Sequence, residues 1–184
     1  HNTVYVIVAT NDDESKIYGG IRLHKADGIN PLPLEKAIGR MDVKIFDIVS
    51  GHMDEGTGEL CGLWNSKEVS GMGISLLLIR AGIAIVNQIK IHSLFTICAD
   101  FTMPMVQRVG FEVENNIGNN GEFFYPNENY ITRVLRKMNA VTLEKSEDYD
   151  RQRILHIRSN PIQIFTEQGP KGEVVVDYNL IFNS

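Results

Sequence analysis

The sequence is poor in cysteine: its two, Cys61 and Cys98, stand far apart inside apolar runs and have no CxxC spacing. Neither a disulfide framework nor a thiolate zinc site is expected, no other metal cluster stands out, and two buried thiols suit a reducing compartment such as the cytoplasm. Long hydrophobic runs are also missing. The longest, residues 74–86, is broken by Arg80 and falls short of the ~20 residues that span a membrane, so it reads as a core helix. Positive charge is scarce, with 18 Lys+Arg against 23 Asp+Glu, a net charge of −5 and no basic cluster beyond scattered pairs. A general nucleic-acid partner is therefore not expected. No Gly-Lys-Ser/Thr occurs, which removes the usual nucleotide-hydrolysing loop.

What is present is enough for a packed core. At 184 residues and 43% apolar, the chain can bury about 70% of its unfolded surface, as one domain with at most a small extension does. The β-branched run Val4 to Ala9 and the segment Ile17 to His24 flank a polar turn and read as a hairpin, with Gly19-Gly20 marking a bulge or a close backbone approach. A short helix is predicted over Leu34–Ile38 behind Pro31 and Pro33. The apolar segment Val43 to Val49 leaves its type open, and residues 51–58 read as a loop.

Glu59 to Asn65 reads as a strand, Gly73 to Ile89 as a helix apolar around most of its girth, and Ser93 to Cys98 as the next strand. Strand, helix and strand predict a parallel βαβ unit. Phe101 to Arg108 reads as a helix with Pro104 near its first turn, followed by strands at 111–114, 122–125 and 130–135. Ser146 is expected to cap a helix that Pro161 ends, and residues 162–166 and 173–180 to close as a hairpin. The order predicts an α/β or α+β fold with a mixed sheet.

The segment Glu59 to Gly73, ELCGLWNSKEVSGMG, concentrates the chemistry. A strand feeding a glycine-bearing turn that opens a long helix aims several N–H groups at one small volume, which suits a phosphate; glycines there can equally be simple turn and cap residues. Leu76 stands where a dinucleotide fingerprint needs its third glycine.

With Glu68 to Gly73 (EVSGMG) ahead of the helix and Arg108 to Phe111 (RVGF) further on, the chain resembles the GNAT acyltransferase superfamily over roughly residues 4–135. The strand Gly20 to Leu23, the proline-containing insertion and Glu59 to Trp64 are similar to its acyl-homoserine-lactone synthase and N-acyl amino acid synthase branch. The resemblance implies a mainly antiparallel sheet with one parallel pair, and transfer of an acyl group from acyl-CoA, acetyl-CoA or acyl carrier protein to a small-molecule amine. It also implies a pantetheine arm held at Leu63, Trp64 and Asn65, and a pyrophosphate held by Val69, Ser70, Gly71, Met72, Gly73 and Ile74.

The chain departs from the family pattern in two places. Glu68 stands where Gln or Arg is usual, and Val106 stands where many members have a tyrosine acid. A general base is expected at Glu59, with Asp100 second; the plainer readings are a strand-edge carboxylate and a helix cap. His52 can be a loop histidine or reach the site, and Trp64 can be a channel wall or core. Arg22 can meet an acceptor carboxylate, Glu59 or an ordinary strand partner, whereas Cys98 has no histidine to activate it. A non-catalytic thioester-binding module is the rival expectation; an S-adenosylmethionine-using autoinducer synthase is a third. Residues 1–138 are expected to form the core, lacking the usual N-terminal elements because the chain opens at His1 on a strand. Residues 139–184 are expected to extend the same domain, as cover for an acyl pocket, a homodimer contact or a substitute for those elements.

Overall fold

The computed structural model describes residues 3–182. A hairpin of β1 (Val4–Thr10) and β2 (Ile17–Lys25) opens the chain. Strand periodicity is plain in β1, where Tyr5, Ile7 and Ala9 turn inward while Val4, Val6 and Val8 stay exposed. Two short helices follow, α1 (Pro33–Ile38) and α2 (Lys44–Ser50). Pro33 sits in the first turn of α1, and the Glu35 carboxylate accepts the Leu32 N–H at 2.6 Å, so the helix start is closed locally. The segment of open type is thus helical, with Ile45 and Val49 one turn apart on its buried face.

Strand β3 (Thr57–Asn65) and a 3-10 turn at Lys67–Val69 lead into α3 (Ile74–Ala84). Leu77 through Ala84 are all buried. The sheet covers one side of α3, where Gly82 admits Leu60 so closely that a Cβ would lie 2.6 Å from Leu60 Cδ1. α3 ends earlier than its apolar run suggests, passing into a 3-10 turn at Ile85–Asn87. The Arg158 guanidinium donates to the Ile83 and Ala84 carbonyls, which satisfies the helix end from outside.

β4 (Ser93–Ala99), α4 (Met103–Arg108), β5 (Glu112–Val113), β6 (Glu122–Phe124) and β7 (Ile131–Lys137) complete the main sheet. Its order is β1-β2-β3-β4-β7-β5, with β6 also on β7, and every pairing except β3 with β4 is antiparallel. One apolar cluster lies on the α3 side; a second, built on Phe95, Val134 and Phe123, lies beneath α1 and α2.

The last quarter packs against α3. α5 (Asp148–Ser159) is followed by the hairpin of β8 (Ile162–Gly169) and β9 (Gly172–Asn179), which among the described residues pair only with each other. The cap of α5 differs from expectation: Glu147 holds that position, whereas the Ser146 hydroxyl is drawn inward, donating to the Val109 carbonyl at 2.8 Å and accepting from Lys137 Nζ. A buried ionic network ties these elements together. Asp150 takes Arg80 and Arg108 on its two oxygens at 2.6 Å each, and Glu167 takes Arg153 at 2.5 Å and the Tyr178 hydroxyl at 2.7 Å. Breaking one member would strand a buried charge.

Candidate functional site

The parallel pairing of β3 with β4 stops almost as soon as it starts. Only Thr57, Gly58 and Glu59 face partners, Ser93, Leu94 and Phe95. β3 runs on to Asn65 beside β2, and β4 runs on to Ala99 beside β7. Beyond Glu59 and Phe95 the two strands therefore present unpaired backbone edges to each other, a wedge in the middle of the sheet. A bulge in β3 helps to bend it away: two residues stand between Cys61 and Trp64 where one stands between Gly20 and Arg22, and Gly62 has φ +63°. A Gly62 Cβ would lie 2.6 Å from the Arg22 Nε, and the positive φ favours glycine there.

At the open end of the wedge, β3 turns into α3. Ser66 caps the 3-10 turn by accepting the Glu68 N–H at 3.2 Å. Gly71 and Gly73 then take φ of +81° and +83°, Gly73 standing at the N-cap of α3. Among the described residues, the N–H groups of Gly71, Gly73, Ile74 and Ser75 meet no acceptor. Four free donors at a helix start suit an anion. Glu68 does not oppose one, because its carboxylate turns outward to Lys16 at 2.6 Å.

One residue at this loop has no signal in the local sequence. The turn between β8 and β9 lies against it: Lys171 N–H donates to the Gly71 carbonyl at 3.2 Å, and Lys171 Nζ donates to the Ser70 carbonyl at 2.8 Å. An ammonium thus stands at Ser70 and Gly71 of this loop, brought by the fold from 101 positions downstream of Ser70. The Gly-Pro-Lys-Gly motif predicts the turn, and nothing in it predicts where the turn docks.

Glu59 is 2% exposed, on the face of the sheet that α1 covers. Its Oε2 accepts the Leu34 N–H at 2.7 Å. Burial pushes its carboxyl up to about 8; the Leu34 N–H and Arg22 oppose the shift and Glu35 adds to it. Glu59 is therefore no exposed strand-edge carboxylate; it sits on the last paired rung before the wedge opens. Beside it, burial pushes the Cys61 thiol up to about 12, and Cys98 is also raised, so neither is an activated nucleophile.

The other expected residues are scattered by comparison. Asp100 lies just past β4, exposed and ion-paired with Arg133, which also holds Glu122. It does not cap α4, whose N-cap is Thr102. Trp64 is 49% exposed at the wedge and is no core residue, with Nε1 near Gly20. Arg22 is exposed and forms no ion pair among the described residues. His52 lies after α2 with its ring 6.0 Å from that of Phe95. Val106 is buried, so α4 offers no acid at that position. A cleft of about 360 Å³ opens on the same side between α1, α2 and the end of β2, lined in part by Ala26, Glu35, Phe46 and Met53. Among the described residues there is no cluster suited to a metal and no helix long and apolar enough to cross a membrane.

No protein-family sequence profile matches the chain, and no curated protein sequence does. Solved structures do match. FeeM, an N-acyl amino acid synthase from uncultured soil microbes, superposes with a TM-score of 0.59 at 15% identity, over 80% of this chain and 78% of its own. MesI, a CoA-dependent acyl-homoserine lactone synthase, gives 0.53 at 12% identity, over 86% and 70%. A point mutant of the Vibrio cholerae spermidine N-acetyltransferase SpeG gives 0.50 at 14% identity, over 78% and 69%. The fold is that of the GNAT acyltransferases: a mostly antiparallel sheet with one parallel pair and flanking helices.

Proposed function

We propose that the protein is an N-acyltransferase that moves an acyl group from a pantetheine thioester to the amine of a small molecule. The observation that carries this reading is the wedge between β3 and β4, with free backbone edges along its length and four free N–H groups at its mouth. A pantetheine arm carries amides that can pair with a strand edge, so it can lie at Leu63, Trp64 and Asn65 as an added strand. Its phosphates then meet Val69 to Ile74, with Lys171 beside them. Acyl-CoA, acetyl-CoA and acyl carrier protein all present this arm, and a CoA diphosphate uses the loop most fully.

The chemistry then falls at the point of the wedge. The amine nitrogen attacks the thioester carbonyl carbon, a C–N bond forms, the C–S bond breaks, and the sulfur leaves as thiolate. Glu59, directly or through a water, takes the proton that the amine loses. Its raised pKa places it within reach of an amine's proton near neutral pH. A thiolate of pKa about 8.5 leaves with little acid assistance, which makes the valine at position 106 tolerable. Asp100 stands as the alternative base at the end of β4. Arg22, exposed on the same face and without a carboxylate partner among the described residues, is suited to a carboxylate on the acceptor.

Thiol release tests the reading. Purified protein, given short- and long-chain acyl-CoAs with amino acids and polyamines, is expected to release free thiol only when both substrates are present. Binding of CoA without turnover across the panel would favour a thioester-binding module, and absence of binding to CoA and carrier protein alike would overturn both.

A further inference from the structure

Among the described residues, three buried side-chain polar atoms lack a hydrogen-bond partner: His24 Nε2, Arg80 Nη1 and Glu114 Oε2. Two of these are answered by charge, since Arg80 Nη1 lies 3.7 Å from Glu167 and Glu114 Oε2 lies 2.8 Å from Arg136. His24 Nε2 has neither. A buried polar atom without a partner costs stability and calls for an explanation.

His24 is the direct cross-strand partner of Glu59 in the β2–β3 ladder. Partners in register share a face, with Cβ atoms about 4.5–5.5 Å apart. The Leu34 N–H occupies Glu59 Oε2, and among the described residues Oε1 accepts no hydrogen bond. The imidazole is only half-buried as a whole, so it reaches from the interior, at Nε2, toward the surface. Arg22 on its own strand, Lys36 and Glu35 on α1 and Glu59 on β3 are the charged groups near this pair.

We propose that His24 is a relay residue that accepts at Nε2 the proton Glu59 takes from the attacking amine and releases another from Nδ1 to solvent. The step balances: one N–H bond forms at Nε2 as the carboxyl O–H breaks, one N–H breaks at Nδ1, and a tautomer exchange restores the ring. Glu59 needs such an outlet because it is nearly sealed from water. Burial first, then Arg22 and Lys36, lowers the His24 pKa, so the ring is neutral before it accepts and gives its proton up readily to solvent.

The inference rests on the assignment of Glu59 as base, and the experiment separates the two. Thiol release is measured for the wild type, Glu59→Gln, His24→Ala and His24→Gln, with and without added imidazole, alongside thermal melts. The expected result is that both His24 variants melt as the wild type does and lose about tenfold or more in kcat with little change in either KM. Imidazole then restores turnover to His24→Ala only. Activity of either His24 variant within twofold of wild type, or a loss that imidazole does not restore in a folded His24→Ala, overturns the relay. Full activity in Glu59→Gln overturns the base, and with it the relay; a wild type without turnover overturns both along with the acyltransferase reading.

Discussion

Glu59 and Phe95 form the last rung on which β3 and β4 meet, and past that rung the sheet divides. The residue at the fork is also a deeply buried carboxyl, so the opening for a thioester and the group that can take a proton coincide. Replacing Glu59 by Gln is expected to lower kcat/KM by about 100-fold or more while the donor still binds, since the amide keeps the shape and the Leu34 contact but cannot accept a proton. Steady-state kinetics with a saturating donor check this.

The same carboxyl makes stability depend on pH. Below about pH 4.5 it is protonated in both folded and unfolded chains; between there and about 8 only the unfolded chain ionises, so stability from this group falls as pH rises and levels off above 8. The reverse holds for activity, which is expected to rise through pH 8 as Glu59 ionises. Melts from pH 5 to 8.5 are expected to show Glu59→Gln gaining on the wild type across the window, by on the order of a few kcal/mol at its top.

Lys171 is exposed and holds only loop carbonyls, so Lys171→Glu is expected to leave folding intact and to weaken CoA binding tenfold or more, with a shallower dependence on salt. Calorimetric titration at two salt concentrations reads both effects. Equal affinity in the two proteins would remove Lys171 from the phosphate site.

Gly73 takes φ +83° at the start of α3, a conformation that costs a side chain about 1–2 kcal/mol. A Gly73 Cβ would also meet Pro170 of the hairpin turn, at 3.3 Å. Gly73→Val is expected to lose CoA affinity by a larger factor than it loses stability, because the free amides are displaced as the backbone relaxes. Parallel denaturant melts and CoA titrations test the comparison.

Asp150 anchors the C-terminal quarter by holding buried Arg80 on one oxygen and half-buried Arg108 on the other. Asp150→Ala leaves Arg80 buried without that partner and is expected to destabilise the protein by about 3–5 kcal/mol, read from urea melts. The same change is expected to loosen the hairpin that carries Lys171, so CoA affinity falls with it.

Much of this fold is legible in the sequence because its signals are local. The alternation in Val4 to Ala9, the proline at the head of α1, and the apolar girth of α3 each name an element. The loop Ser70 to Ile74 is legible for the same reason, since its glycines and the helix behind them are contiguous. Three features are not. Helix α3 passes into a 3-10 turn after Ala84, where Arg158 reaches its carbonyls, Ser146 is drawn off its capping position toward Lys137 and Val109, and Lys171 comes to the loop through the docking of a distant hairpin. Each depends on a partner far along the chain that no local pattern encodes. Glu59 lies between these cases: its place on a strand is local, whereas its burial is set by α1, on the far side of a proline-broken connection.

The account turns on a thioester arm entering the wedge between β3 and β4, and hydrogen exchange in the presence and absence of CoA tests that most directly. The predicted result is new protection of the amides at Leu63 to Asn65 and Gly71 to Ser75, with no change at Thr57 to Glu59, where the strands already pair. Protection confined to other parts of the chain, with the wedge and its loop exchanging as before, would contradict it.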